Sequence, residues 1–238
     1  MTGEVTLYRA RWSAEVHEWL EQLLRETTGV MCLDWDETCA AGDIGEALLS
    51  YLDPSGKALD DYADKLAAGN ILEAYVESLF VIAGYSPEQV RAICEKTVAW
   101  ALQTGRVQHR PEIQDLIKAA TERGWEVWVV TASGTPVVQA FASLYGLPPE
   151  RVIGMDLTVE GGVYLPRLKG VATYRQGKAD AIAERIGKPV CLAVGDTLTD
   201  LEMLRLAQHG LVIGPRHKDL GMEAKQRGWK IQPIFEQL

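Results

Sequence analysis

The chain has 238 residues, enough for one large domain or a core with a smaller attachment. Its 47% hydrophobic and 24% charged residues match an ordinary soluble protein with ample material for a buried core. A formal charge of −9 without a long basic run argues against nucleic acid as a main partner. In chain order, Met1 to Ala10 lack a basic region followed by an apolar stretch, so no leader is expected. No apolar run approaches the ~20 residues of a membrane span, so no membrane partner is expected. Ser13 to Arg25 reads as an amphipathic helix with a serine cap and Val16, Trp19, Leu20 and Leu23 on one stripe.

Val30 to Leu33 is then a short apolar run that stops at Asp34. Four similar runs follow at Val127–Val130, Arg151–Gly154, Val190–Val194 and Leu211–Ile213. Continuous rather than alternating apolar runs suit strands covered on both faces, as in a parallel sheet. Helical spacing of Ile113, Leu116, Ile117 and Ala120 stops at Gly124, and that of Ala179, Ile182, Ala183 and Ile186 stops at Gly187. The alternation predicts a doubly wound, mostly parallel α/β sheet of Rossmann-like type. Glu160-Gly161-Gly162 reads as a hairpin turn. Cys32 and Cys191 lie inside apolar runs, and no Cys-x-x-Cys pair occurs, so a reducing cytoplasm is the expected address.

Between about Asp43 and Gln108 there are helix signals and no convincing strand. Ser86-Pro87-Glu88-Gln89 forms a capping box with proline at the first helical position, followed by Val90, Ile93, Cys94, Thr97 and Ala101 on one face. The expected division is a core of 1–42 and 109–238 carrying an all-helical cap of 43–108. The links Ala40 to Asp43 and Gln108 to Pro111 are hinge candidates.

In such a sheet, ligands gather outside the carboxyl ends of the strands. Three groups fall there: Asp34-Trp35-Asp36-Glu37-Thr38, Thr131-Ala132-Ser133-Gly134 and Gly195-Asp196-Thr197-Leu198-Thr199-Asp200. Lys178 opens the helix before the fourth run. Carboxylates collected on one rim repel each other unless a cation sits among them, and a hard divalent ion with oxygen ligands is the usual answer. Thr131 and the free N–H groups ahead of Thr135-Pro136 suit an anion, and Lys178 adds a point charge. A metal and an anion cradle beside a carboxylate describe a phosphoryl-transfer site. Taken singly, each of these residues also reads as a cap, a turn or a solvated loop.

The ordered set Asp34-x-Asp36-x-Thr38, Thr131, Lys178 and Gly195-Asp196-x-x-x-Asp200 resembles the haloacid dehalogenase superfamily over nearly the whole chain. Within it, the likeness is to the branch of phosphoserine and phosphocholine phosphatases, which Leu147 to Gly154 also resembles. The resemblance implies Asp34 as nucleophile and Asp36 as general acid and base. It implies Mg²⁺ on Asp34, the Asp36 carbonyl and Asp196, with Asp200 just behind. Thr131 and Lys178 would grip the phosphoryl group. Asp36 speaks against dehalogenation, because dehalogenases of the superfamily lack an acid there.

For the substrate, residues 43–108 hold ten acids against five bases, which disfavours a further negative charge on the leaving group. The resemblance also implies an acid shortly after the first motif, a place Asp43 fills, and a cap arginine, where Ser78 stands instead. Tyr51, Tyr62, Tyr75, Phe80, Tyr85 and Trp100, with Trp35 beside the nucleophile position, suit a cationic group through cation–π attraction. The expected substrate is a small phosphorylated metabolite such as phosphocholine or phosphoethanolamine, with Trp35, Asp43 and Tyr75 in contact. The alternatives are a phosphoserine or sugar-phosphate phosphatase, a phosphotransferase or mutase, and a non-catalytic phospholigand-binding protein.

Overall fold

A computed structural model describes Leu7 and residues 11–235 of the chain, so the stretch read for a leader, Leu7 apart, lies outside the described residues. The strands are β1 (Val30–Leu33), β2 (Ala40–Ala41), β3 (Gln108–His109), β4 (Glu126–Gly134), β5 (Val152–Glu160), β6 (Val163–Lys169), β7 (Val190–Gly195), β8 (His209–Ile213) and β9 (Lys230–Gln232). Seven of them form one sheet in the order β6-β5-β4-β1-β7-β8-β9. Every neighbouring pair is parallel except β5 with β6, which is the hairpin turned at Gly161-Gly162. The chain leaves β1 toward β4 on one side and returns to β7 on the other, so β1 is central and its carboxyl end is the switch point.

The helices are α1 (Ala14–Glu26), α2 (Ile44–Leu52), α3 (Lys57–Ala67), α4 (Ile71–Ser78), α5 (Pro87–Gln103), α6 (Pro111–Glu122), α7 (Thr135–Ala142), α8 (Gln176–Arg185), α9 (Leu201–Leu206) and α10 (Lys218–Arg227). Side chains alternate across each strand, and both faces are covered. Met31 and Leu33 of β1 join a cluster with α1, α6 and α7, whereas Val30 and Cys32 join another with α8, α9 and α10. That two-sided burial is why β1 reads as an unbroken apolar run. Ser13 caps α1, and the Ser86 capping box starts α5.

Helices α2 to α5 form the insertion, and its apolar residues Leu48, Val90, Cys94 and Val98 belong to the same cluster as the sheet. One expectation is corrected here. The region was read as free of strands, but Gln108 pairs with Ala41 and His109 with Ala40 in an antiparallel ribbon, β2 with β3. Two-residue strands are too short to leave a period in the sequence. The sequence reading does not include α9, α10 and β9: α9 and β9 are too short to show a period, and α10 is mostly polar.

The insertion is also fastened at its far side. Gly84 N–H donates to the Tyr164 carbonyl at 2.8 Å, and Tyr164 N–H donates to the Tyr85 carbonyl at 2.9 Å, adding backbone pairing to the edge of β6. No described helix is long and apolar enough to cross a membrane.

At the ribbon, Gly42 has φ +87, and a Cβ there would lie 2.2 Å from the Arg106 carbonyl oxygen. Both the conformation and the space exclude other residues. Gly42→Ala is therefore expected to lower unfolding stability by about 1–3 kcal/mol, read by urea denaturation; an unchanged midpoint would contradict this packing.

Candidate active site

The carboxyl ends of β1, β4 and β7 bring their side chains to one pocket, lined by Asp34, Asp36, Asp43, Tyr75, Thr131, Ser133, Asp196 and Arg216 among others. Asp34 follows β1 directly, and its N–H donates to the Val194 carbonyl at 2.9 Å, which ties the loop to β7. Lys178, fully buried in the first turn of α8, donates from Nζ to Asp34 Oδ1 and to Asp200 Oδ1, both at 2.6 Å. The other oxygen of Asp200 accepts the N–H groups of Asp196 at 3.1 Å and Thr197 at 3.0 Å. Asp200 thus has both oxygens committed to holding the β7 loop and Lys178. Gly195 lets this happen: a Cβ there would lie 2.6 Å from the Asp200 Cβ.

Asp196 is 2% exposed. Its Oδ1 accepts from the Thr38 hydroxyl at 3.3 Å, while its Oδ2 accepts no hydrogen bond. Burial, with Asp200 and Asp34 nearby, raises the Asp196 carboxyl to about 8. Burial and Asp200 raise Asp34 to about 6, against the opposing pull of Lys178. Burial works to lower Lys178, but Asp200 and Asp34 outweigh it and the ammonium is held protonated.

Oxygen atoms of Asp34, Asp196 and Asp200 lie within 4.8 Å of one another. The Asp196 oxygen without a hydrogen bond and three clustered carboxylates against one buried ammonium fit a small, hard divalent cation such as Mg²⁺. Asp34 and Asp196 are the residues free to hold it, since Asp200 is spent on internal bonds.

Asp36 is built differently. Its Oδ1 accepts Ile44 N–H at 2.8 Å and its Oδ2 accepts the Ser133 hydroxyl at 2.6 Å. Burial, and then Asp43, raise it well above the ordinary carboxylate range despite those bonds. Two carboxyls two residues apart therefore stand in unlike settings, one beside an ammonium and one beside neutral donors. Thr131 is buried; its Oγ1 accepts Ser133 N–H at 3.0 Å, and its carbonyl accepts the Thr173 hydroxyl at 2.5 Å.

From the insertion, Asp43 caps α2 by accepting Glu46 N–H at 2.8 Å, and Tyr75 lies against Tyr174 of the core with ring centres 5.7 Å apart. Both line the pocket. The contact expected of Trp35 is corrected: its ring is fully buried, edge-on to Phe141 and Tyr145 at 5.1 Å, so it packs the core. Its neighbours Asp34 and Asp36 turn to the pocket, and the alternation of side chains sends Trp35 the other way. Ser78, at the place of the expected arginine, donates to the Tyr75 carbonyl.

Sequence reading missed Glu37 and Arg216, which both line the pocket. Glu37 Oε1 meets Arg216 at 2.7 Å, and Glu37 Oε2 meets Arg110 at 3.2 Å. Arg216 follows β8, so the strand-end rule that located the other groups would have found it.

A family model for haloacid dehalogenase-like hydrolases matches residues 32–205. A protein of Mycobacterium tuberculosis named as a probable phosphatase is 35% identical over 154 residues, 63% of this chain and 51% of its own length. The chain thus spans about half the length of the curated relative it matches. A functionally unknown protein of Anaerococcus prevotii has the same fold, with a TM-score of 0.78 at 17% identity over 95% of this chain and 94% of its own. A phosphoserine phosphohydrolase-like protein of Francisella tularensis superposes with a TM-score of 0.60 at 17% identity, over 82% and 93% of the two chains.

Carboxyls raised above 3.8 keep protons in the folded chain that the unfolded chain has released. Without metal, stability is therefore expected to fall as pH rises from about 4, through the folded values near 6 and 8. Excess Mg²⁺ should restore the loss at pH 8. Urea titrations in chelator and in Mg²⁺ check this; a flat metal-free profile from pH 5 to 8 would refute the cluster electrostatics.

Proposed function

The chain belongs to the haloacid dehalogenase-like hydrolase family, and from that premise we propose that it is a Mg²⁺-dependent phosphomonoesterase working through a phospho-aspartate on Asp34. The carrying observation is the meeting, in one pocket, of an ammonium-paired Asp34 and a half-buried Asp36 whose oxygens meet only neutral donors and whose carboxyl is pushed well above the ordinary range.

The step follows from those two settings. An Asp34 oxygen attacks phosphorus, the ester P–O bond breaks, and its electron pair leaves with the alcohol oxygen. The Asp36 carboxyl gives that oxygen its proton. The resulting Asp36 carboxylate then takes a proton from water, whose oxygen attacks phosphorus and frees Asp34 and phosphate. Bound Mg²⁺, held by Asp34, Asp196 and the Asp36 carbonyl, would supply charge neutralisation for the phosphoryl oxygens. Thr131 and Lys178 hold the transferring group, Lys178 also keeping Asp34 aimed. Asp200 acts behind them as the anchor of Lys178.

For the leaving group, Asp43, Tyr62 and Tyr75 line the cleft that continues under the insertion, next to Leu49, Leu79 and Val137. A carboxylate among aromatic faces, with no arginine in that lining, supports a small cationic alcohol as leaving group, as in phosphocholine or phosphoethanolamine. This part of the cleft has a volume of only about 20 Å³, so the insertion must shift to admit substrate. The ribbon at β2 and β3 is the hinge this reading uses. Four buried, unpaired cysteines support a reducing compartment such as the cytoplasm.

Asp34→Asn is expected to lower Mg²⁺-dependent release of phosphate from an aryl phosphate by about a thousand-fold or more. Turnover within ten-fold of wild type would remove the nucleophile assignment. Phosphate release with no added acceptor separates hydrolysis from phosphotransfer. In a panel with phosphoserine and sugar phosphates, phosphocholine or phosphoethanolamine should give the highest kcat/KM. Tyr75→Ala should raise KM for the preferred cationic ester about 2- to 30-fold while sparing a neutral aryl ester. Equal effects on both esters would sink the cationic pocket.

A further inference from the structure

Arg216 belongs to none of the groups that the proposed reaction uses, yet it stands at the mouth of the pocket. It reaches that position from the carboxyl end of β8, its own N–H donating to the Asp196 carbonyl at 3.4 Å. Its side chain is half exposed, and its guanidinium has two acidic neighbours. Glu37 Oε1 is the close one, at 2.7 Å. Asp196 Oδ2 is the loose one, at 3.5 Å from Nε and without a hydrogen bond.

Glu37 is fixed on its other side by Arg110, which is 4% exposed. It also holds a left-handed backbone, φ +60, which a non-glycine residue adopts only when its surroundings impose it. The tight turn around it, in which the N–H groups of Thr38, Cys39 and Ala40 all donate to the Trp35 carbonyl, holds that backbone, and the two arginines hold its carboxylate. Glu37 is therefore held at both carboxylate oxygens, and Arg216 hangs from it beside Asp196 Oδ2, a buried oxygen that accepts no hydrogen bond. That oxygen belongs to a residue read above as a metal ligand.

We propose that Arg216 is a built-in counter-cation of the metal site, occupying Asp196 until a divalent ion displaces it and thereby setting the affinity for that ion. A guanidinium and a divalent cation cannot share one buried carboxylate oxygen without strong repulsion at this distance. The arginine is poised to yield: its exposed position lets it move into water, and its pairing with Glu37 keeps it from leaving the rim. Arg216 is thus a positioning residue for the metal-free state, and it limits binding when the ion is scarce.

The inference rests on the reading of Asp34 and Asp196 as metal ligands, and the test separates the two. Calorimetric titration of MgCl₂ into chelator-stripped full-length protein gives a Kd for wild type, Arg216→Met, Arg216→Lys and Asp196→Asn. Removal of the charge in Arg216→Met should tighten Mg²⁺ binding about ten-fold. Arg216→Lys, which keeps a cation on Glu37, should stay near wild type and shows that charge, rather than packing, is responsible. Asp196→Asn should abolish measurable binding. If Asp196→Asn loses Mg²⁺ but Arg216→Met binds it no more tightly than wild type, the counter-cation role is overturned alone. If wild type binds no Mg²⁺, or Asp196→Asn binds it equally well, the metal reading fails and this inference falls with it.

Discussion

Burying several carboxylates at one point of a protein is costly, and the site depends on how that cost is met. Lys178 meets it from inside, with 2.6 Å bonds to Asp34 and Asp200 from a fully buried ammonium. Asp200 is bound in turn by the N–H groups of Asp196 and Thr197. A lysine from α8, a loop from β7 and a loop from β1 are therefore locked by one ion cluster. Removing one partner of such a buried pair costs about 3–5 kcal/mol, because the other charge is left uncompensated. The same cluster that joins these elements also sets the charge state of the pocket.

The contrast between Asp34 and Asp36 follows from that arrangement. Asp34 has an ammonium partner that opposes the effect of burial; Asp36 has only a hydroxyl and an amide N–H, whose lowering effect burial and Asp43 outweigh. Alternation of side chains beyond β1 puts Trp35 between them into the core, where Phe141 and Tyr145 receive it. One tripeptide thus supplies two unlike carboxyls to the pocket and one large anchor to the packing below it.

The insertion is attached at more places than its sequence links. The β2–β3 ribbon ties its base, Tyr164 pairs with Gly84 and Tyr85 at its far side, and Tyr75 lies on Tyr174 above the pocket. Any opening that admits a substrate has to break or carry along the β6 contacts. The β5–β6 hairpin therefore supports the insertion as well as the sheet.

The sequence by itself indicated the sheet type and put Asp34, Asp36, Thr131 and Asp196 just beyond apolar runs, whereas Lys178 joined them only through the ordered motif set. Unbroken apolar runs come from two-sided burial, and chemistry-bearing residues fall where those runs end. Tertiary structure alone decided which neighbours each carboxyl has. Asp200 and Lys178 are 22 residues apart and Lys178 and Asp34 are 144, so their shared bonds leave no periodic mark. The same holds for Glu37 between Arg110 and Arg216. Local spacing encodes secondary structure and strand ends, whereas the charge state of a buried group is a property of everything packed around it.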